Sequence, residues 1–208
     1  MAAKPGFRAL GAALALLACP LSAPAAETQA PAKEESRSLL WGAFDFGYAS
    51  IARSYSQTGD SRDSKFTFAL RGGFQLDPRL LIGLEFGGWT LQSGNNQDPA
   101  TGEAIGTRFL IVQAYPLAHS AFFVRGGGGR VVYSNQRPGE SGASGPGGIV
   151  GIGYDWAVKR RDGEHTAFYV TPSLDYSAGS FSGATSPPGV TQDQRYRALS
   201  ARVGLTFR

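Results

Sequence analysis

This chain has a single cysteine, no long hydrophobic run after its first 20 residues and no strong charge imbalance. Its only cysteine is Cys19, so no intramolecular disulfide can form and no cysteine-based metal centre is available. No segment after the first 20 residues approaches the roughly 20 apolar residues that a membrane-spanning helix needs. The net charge is only +4, and two of the basic residues, Lys4 and Arg8, precede the first apolar run. This balance predicts no nucleic-acid partner.

Residues 1–26 have the layout of a cleaved secretory signal peptide. Lys4 and Arg8 come before an apolar run at 9–17, and small residues follow at 22–26. We place the cleavage after residue 25 or 26, which would also remove the only cysteine.

Cys19 leaves one alternative open for this segment. In a lipoprotein the cysteine would become the acylated first residue of the mature chain. Leu17 and Pro20 fit that motif poorly, and the small residues downstream offer a better ordinary cleavage site.

We predict that residues 39–208 form a single all-β domain behind a polar, disordered periplasmic lead-in at 27–38. The 29 glycines and 12% aromatic residues, without a sustained helical period, favour many strands and turns. Apolar and polar residues alternate in eight segments, at about 38–52, 65–76, 80–92, 107–116, 121–134, 147–158, 166–177 and 196–207. Long loops at 53–64, 93–106, 135–146 and 178–195 alternate with shorter turns at 77–79, 117–120 and 159–165. Long loops on one rim and short turns on the other are typical of outer-membrane barrels.

The two faces of these segments differ in bulk and in charge. One face is crowded with large apolar residues such as Phe66, Phe68 and Leu70, whereas the other carries Gly, Ala and single charges. The interior of an eight-stranded barrel is just wide enough for side chains to fill it, so the small face suits the inside and the bulky face suits lipid. In hydrocarbon every backbone group needs a partner, so the sheet must close. The sequence predicts a closed, antiparallel, up-and-down, eight-stranded transmembrane β-barrel.

Charged residues in mid-strand fall on the small-residue face. Four are acidic and three are basic, and in a narrow lumen they must pair because unpaired buried charges are costly. We predict a structural network of ion pairs; a narrow, gated ion path and acid–base chemistry are the alternatives. The seven residues are Asp45, Arg71, Glu85, Arg125, Asp155, Asp175 and Arg202.

Two strands leave the register open. The segment at 107–116 is apolar on both faces, and we place Gln113 inward because a polar group is costly in lipid. With Arg125 inside, the alternation points Arg130 outward, and a β-bulge at 126–129 would repair this.

Aromatic residues cluster near both ends of the predicted strands. Following the chain from a periplasmic N-terminus places Trp41, Tyr115, Trp156, Tyr169 and Phe207 at the inner rim. The same path places Tyr48, Tyr55, Trp89, Tyr133, Tyr176 and Tyr196 at the outer rim. Amphipathic rings favour the headgroup level, so we expect two aromatic girdles.

The last strand carries a further signal. Val203, Leu205 and Phe207 continue a strict alternation that stops one residue before the end of the chain. Behind a secretory signal, such a strand resembles the closing strand of bacterial outer-membrane barrels, and the chain from Leu39 onward resembles the small barrels of the OmpA/OmpX class. Arg208 departs from that family, whose chains usually end on the aromatic residue itself. The resemblance implies that Val203, Leu205 and Phe207 are the signal for barrel assembly.

The resemblance also implies a location and a role. The expected location is the outer membrane of a Gram-negative cell, and the expected role is a scaffold for envelope integrity or for surface interactions through the long outer loops. The expected partners are outer-membrane lipid and lipopolysaccharide, the barrel-assembly machinery and an unidentified surface ligand. Arg53, Arg62 and Arg137 are candidates for contact with lipopolysaccharide phosphates. We expect a monomer without cofactor or metal.

Two other functions stay open. One is a narrow, porin-like pore, and the other is a lipid A-modifying enzyme. Such an enzyme places a histidine as general base beside a serine at the outer rim. The only histidines, His119 and His165, both fall in inner-rim turns, so we predict no catalytic residue.

Overall fold

The structure is a computed structural model that describes residues 40–57, 59–92, 102–117, 120–135, 142–158, 167–185 and 191–208. The predicted signal peptide and lead-in, together with His119 and His165, lie outside the described residues. No helix among the described residues is long and apolar enough to cross a membrane.

Eight antiparallel strands form one closed sheet. They are β1 (Leu40–Tyr55), β2 (Gly59–Asp77), β3 (Leu80–Gln92), β4 (Glu103–Ala114), β5 (Phe122–Asn135), β6 (Ala143–Tyr154), β7 (Phe168–Thr185) and β8 (Thr191–Phe207). Strand β6 resumes briefly after Asp155 as Trp156–Ala157, which pairs with β7. Each strand pairs with the next along the chain, and β1 pairs with β8 to close the sheet. The predicted eight-stranded barrel is confirmed.

The register of the strands fixes the tilt of the barrel. Paired residues can be followed around the sheet from Ala43 through Arg71, Glu85, Phe109, Gly129, Gly147, Gly179 and Tyr196, and the path returns to β1 at Arg53. This return is about ten residues further toward the outer rim, which for eight strands corresponds to a tilt of about 40°. The lumen of such a barrel is narrow enough for side chains to fill it.

The alternation of the sequence separates lipid-facing from lumen-facing residues. Leu70 is 56% exposed, whereas its neighbour Arg71 is 3% exposed. The same contrast separates Leu84 from Glu85 and Leu174 from Asp175. The bulky apolar face therefore lies outside and the charged face lies inside.

The outer ends of four strands are longer than the sequence pattern predicts. Residues 53–55 and 59–64, expected as parts of a loop, instead continue β1 and β2 to the pair Tyr55 and Gly59. Most of 178–195 likewise belongs to β7 and β8, which pair as far as Thr185 and Thr191. The alternation between apolar and polar residues fades there because both faces of these strand ends carry polar groups. We call the extended ends of these four strands, residues 50–55, 59–64, 178–185 and 191–197, the outer wall.

Strand β5 is regular through its glycines. It pairs without a shift with β4 and with β6, so the expected bulge at 126–129 is wrong. Arg130 points outward, and its guanidinium donates to Ser144 Oγ at 2.7 and 3.1 Å. Gln113 points inward and is buried.

Candidate functional site

Arg71 and Asp45 form a bidentate ion pair inside the barrel. Arg71 Nε donates to Asp45 Oδ2 at 2.7 Å, and Arg71 Nη2 donates to Asp45 Oδ1 at 2.5 Å. The remaining nitrogen, Nη1, donates to Gln113 Oε1 at 3.2 Å. Because these donors are aligned with their acceptors, the attraction within the pair offsets much of the solvation energy that each charge loses on burial.

A second group of four charges lies beside this pair. Arg125 of β5 donates to Asp175 of β7, and Arg202 Nη1 donates to Glu85 Oε1 at 3.0 Å. Longer contacts link the two pairs, since Arg125 Nη1 lies 3.8 Å from Glu85 Oε2 and Arg202 Nε lies 3.6 Å from Asp175 Oδ2. All four side chains are buried. With Arg71 and Asp45, three acids and three bases form a neutral layer across the lumen, which we call the charge layer.

Inward-facing glycines leave room for the charge layer. A Cβ atom on Gly204 would overlap Asp45 Oδ1, and a Cβ atom on Gly151 would overlap Asp175 Oδ1. Each of these glycines is paired directly with its aspartate across two neighbouring strands. The glycines and the acids therefore form one packing unit.

We expect Gly151→Ala to destabilise the barrel by about 1–3 kcal/mol, because the added methyl group must displace a buried, ion-paired carboxylate. Gly126→Ala is the matched control, since a Cβ atom there would meet no other atom within 4 Å. Urea titration of refolding in lipid vesicles measures both effects. Equal stabilities of the two variants would show that the lumen tolerates the extra volume.

Asp155, the seventh predicted charge, belongs to a separate cluster nearer the inner rim. Its carboxylate accepts from Tyr115 Oη at 2.6 Å and from Thr171 Oγ1 at 2.8 Å. Arg208 Nη2 lies 3.5 Å from Asp155 Oδ2, and its guanidinium lies 4.5 Å from the ring centre of Tyr115 and 4.7 Å from that of Tyr169. Arg208 thus supplies a base for Asp155.

Seven of the predicted girdle residues instead point into the lumen. Trp41, Trp89, Tyr115, Tyr133 and Tyr196 are all buried, so their assignment to lipid-facing girdles is wrong. Tyr55 and Tyr169 share the inward parity of Ile51 and Thr171 and are half-buried. The residues that are exposed on the outside are Tyr48, Trp156, Tyr176 and Phe207.

Inward glycines also explain these buried rings. A Cβ atom on Gly83 would lie 2.9 Å from Trp41 Cζ2, and a Cβ atom on Gly179 would lie 2.7 Å from Tyr196 Cε1. Each ring therefore occupies volume that a glycine on another strand leaves free. Trp41 Nε1 also donates to the backbone oxygen of Ile82 at 3.2 Å, which satisfies its polar group inside the barrel.

Aromatic side chains cross the lumen on the outer side of the charge layer. The rings of Tyr133 and Phe181 are stacked at 5.6 Å between centres, and Phe181 is stacked on Tyr196 at 6.4 Å. Trp89 lies 5.6 Å from Tyr196. Ser177 is buried on the inward face of β7, nearer the charge layer than these rings. The outer half of the lumen thus combines aromatic obstruction with polar groups.

Of the three arginines expected to contact lipopolysaccharide, the structure places one on the outer surface and one in the lumen. Arg53 points into the lumen, where Nη2 donates to Asp63 Oδ2 at 2.7 Å and Nη1 lies 3.7 Å from Glu103 Oε2, so its proposed contact with lipopolysaccharide is wrong. Its side chain has the same strand parity as Asp45 and Trp41, and this parity fixes the inward direction. Arg62 is exposed, and Arg137 lies outside the described residues.

The residues of the expected assembly signal share the lipid-facing side. Val203, Leu205 and Phe207 are 45%, 59% and 45% exposed. Their role in assembly stays a prediction. No cluster of three or more metal-ligating side chains occurs within the described part of the chain.

Comparisons with known proteins find similarity in fold. No family model matches the chain, and no curated protein matches it. Among solved structures, Neisserial surface protein A is 14% identical, with 81% of this chain and 96% of that chain covered and a TM-score of 0.50. The outer membrane protein OprG from Pseudomonas aeruginosa is 14% identical over 83% and 98% of the two chains, with a TM-score of 0.42. The outer membrane protein AlkL is 12% identical over 87% and 96%, with a TM-score of 0.47.

The closed eight-stranded sheet, together with the likeness to Neisserial surface protein A, confirms the fold that the resemblance implied. At such low identities the likeness concerns the fold alone.

Proposed function

We propose that the protein is a scaffold in the outer membrane of a Gram-negative cell, with a role in envelope integrity or in surface interactions. The observation that carries this proposal is the occupied lumen. Three acids and three bases, all buried, face one another in the charge layer, and stacked aromatic rings lie on its outer side. A barrel with this interior acts through its surfaces rather than through its lumen.

The outer wall supplies a surface for such a role. Hydrogen bonds continue between the strands beyond the apolar band, and the two hairpins are joined at their ends by Ser56 N to Asp193 O at 3.0 Å. Gln57 N also donates to Gln192 Oε1 at 2.8 Å. Paired strands hold a surface in a fixed shape, whereas single loops must lose conformational entropy on binding. The wall is therefore the preferred place for contact with an external partner.

The chemistry of the chain supports a scaffold over a lipid A-modifying enzyme. Its only two histidines stand in the sequence between β4 and β5 and between β6 and β7, two connections that the sequence predicts to be inner-rim turns. A general base for lipid A chemistry would be needed at the outer rim. We therefore propose no catalytic residue.

The first arm of the test uses purified, refolded protein in planar bilayers. We expect no steady conductance, because ions would have to displace paired charges from the charge layer. Stable ion-selective channels whose selectivity changes with Glu85→Gln would contradict the scaffold and support a pore.

The second arm uses cells that lack the gene. A shortened variant replaces residues 54–60 by Asn-Gly, which fits a two-residue hairpin turn between the paired residues Arg53 and Ser61. Full-length protein should restore resistance to detergent or binding to host surfaces. If the shortened variant also restores the phenotype, the barrel itself has the integrity role. If the shortened variant does not restore it, the role belongs to the outer wall. The proposal would be contradicted if cells that lack the gene were as resistant and as adhesive as the parent cells, or if their lipid A acylation pattern were altered.

A further inference from the structure

Two arginines stand opposite each other on the lipid-facing side of the barrel. Arg108 of β4 and Arg130 of β5 are directly paired in the register, and both side chains are exposed. Their sequence neighbours Phe109 and Val131 are buried in the lumen, so the outward direction of both arginines is fixed. Two like charges directly opposite each other on a sheet are destabilising.

The pair lies at the outer border of the apolar band. The register path rises toward the outer rim by about 3 Å per strand at this tilt. Allowing for this rise, Arg108 is level with Tyr48, and Arg130 is level with Phe66 and Leu199. The next outward residues on those other strands are polar, namely Ser50, Ser64 and Arg197. This is the depth at which lipid headgroups meet acyl chains.

The two guanidinium groups have no acidic partner among the described residues. The hydroxyl of Ser144 is the described side-chain partner of Arg130, and Arg108 has no ion pair within the described ranges. By contrast, Arg71, Arg125 and Arg202 are all paired with carboxylates. Because the two like charges face each other directly, an anion from the surroundings that contacts both guanidinium groups would stabilise the pair.

Outward-facing glycines form a shallow surface beside the pair, bordered by the exposed side chains of Leu110, Val112 and Val150. Gly106, Gly126, Gly128 and Gly148 all face outward on β4, β5 and β6, and a Cβ atom on Gly126 would meet nothing within 4 Å. The equivalent depth on β1 and β2 is filled by Tyr48 and Phe66. A ligand with acyl chains can therefore lie flat against the glycine surface while its headgroup reaches the arginines.

We propose that Arg108 and Arg130 bind the phosphate of an acylated, phosphorylated glycolipid of the outer leaflet, the lipid A part of lipopolysaccharide. Arginine matches phosphate geometry through two parallel N–H donors, and a shared phosphate turns the repulsion between the two side chains into two attractive contacts. The acyl chains lie on the surface formed by Gly126, Gly128 and Gly148. This inference rests on the proposed outer-membrane location and names the site of the expected lipopolysaccharide contact.

The test is native mass spectrometry of the refolded full chain in detergent with added diphosphoryl lipid A. We expect one tightly bound lipid and a loss of affinity of about tenfold or more in the double variant Arg108→Gln/Arg130→Gln, because two charge-assisted contacts are removed. The matched control is Arg195→Gln/Arg197→Gln, which removes the same charge from the outward face of β8. An equal loss in the control would overturn the site, since binding would then depend on the basic rim as a whole.

Two further measurements distinguish the proposed lipid A site from a site for free anions and from a structural role of the arginine pair. Inorganic phosphate and dephosphorylated lipid A should each compete poorly; strong competition by phosphate alone would show a site for a free anion and overturn the proposal. In phosphatidylcholine vesicles without lipid A, Arg108→Gln/Arg130→Gln should be at least as stable as the parent, because lipid-facing charge is removed. A less stable variant would assign the pair a structural role. Conductance in bilayers would defeat the proposed scaffold function while leaving this binding measurement intact.

Discussion

Asp175→Asn is expected to destabilise the barrel by about 3–5 kcal/mol, because it leaves buried positive charge without a partner. Asp175 faces two arginines, Arg125 and Arg202, and its side chain is fully buried. The amide has nearly the same shape as the carboxylate, so the loss measures charge rather than packing. Urea titration of refolding in phosphatidylcholine vesicles gives the free energy of unfolding.

Two companion variants test this explanation. Asp193→Asn removes the same charge from an exposed, outward position on β8 and should change stability by less than about 0.5 kcal/mol. Adding Arg125→Gln to Asp175→Asn restores a neutral charge layer, so part of the lost stability should return. If the double variant is as unstable as the sum of its single variants, the charges are not coupled and the layer is not one network.

The direction of the charged side chains follows from the sequence because a strand has a period of two. Glu85 lies between Leu84 and Phe86, and this local contrast fixes its face without knowledge of any other strand. The pairing partners do not follow in this way. Arg125 and Asp175 lie on strands β5 and β7, which are not neighbours, so their contact depends on the tilt and register of the whole barrel.

The buried aromatic rings follow the same period of two, although they lie near the rims of the barrel. Height along the barrel places Trp41 and Trp89 near the rims, but parity decides the face. Trp41 is four residues from Asp45, and Trp89 is four residues from Glu85, so each ring shares the face of an inward charge. Height alone predicts a lipid-facing position for these rings, whereas parity predicts the lumen. The space that receives them comes from glycines on other strands, which local sequence cannot show.

Arg208 illustrates a partner that charge counting could have found. The seven charges predicted from the sequence, four acids and three bases, leave one carboxylate without a base, and Asp155 is the acid furthest from the other six along the barrel. Arg208 directly follows the last residue of β8, and its guanidinium reaches Asp155 near the inner rim. Its exact partners, Tyr115 and Tyr169, depend on the closure of β8 against β7 and were not predictable from the sequence.

A second large effect is expected for charge placed on the outer face. Leu84 is 49% exposed on β3 and lies in the middle of the apolar band, between Ile82 and Phe86 on the same face. We expect Leu84→Arg to reduce the free energy of unfolding in vesicles by about 2–4 kcal/mol, the cost of an arginine near the bilayer midplane.

The control is Thr90→Arg, which places the same charge on the same face of the same strand, six residues nearer the outer rim. At that depth the cost should fall to about 0–1 kcal/mol, because the guanidinium reaches water and headgroups. The comparison isolates depth, since both positions are exposed and neither faces the lumen. In a barrel surrounded by water, neither substitution would show this dependence on depth. A large and equal cost at both positions would instead indicate that a protein partner, rather than a bilayer, covers the apolar face.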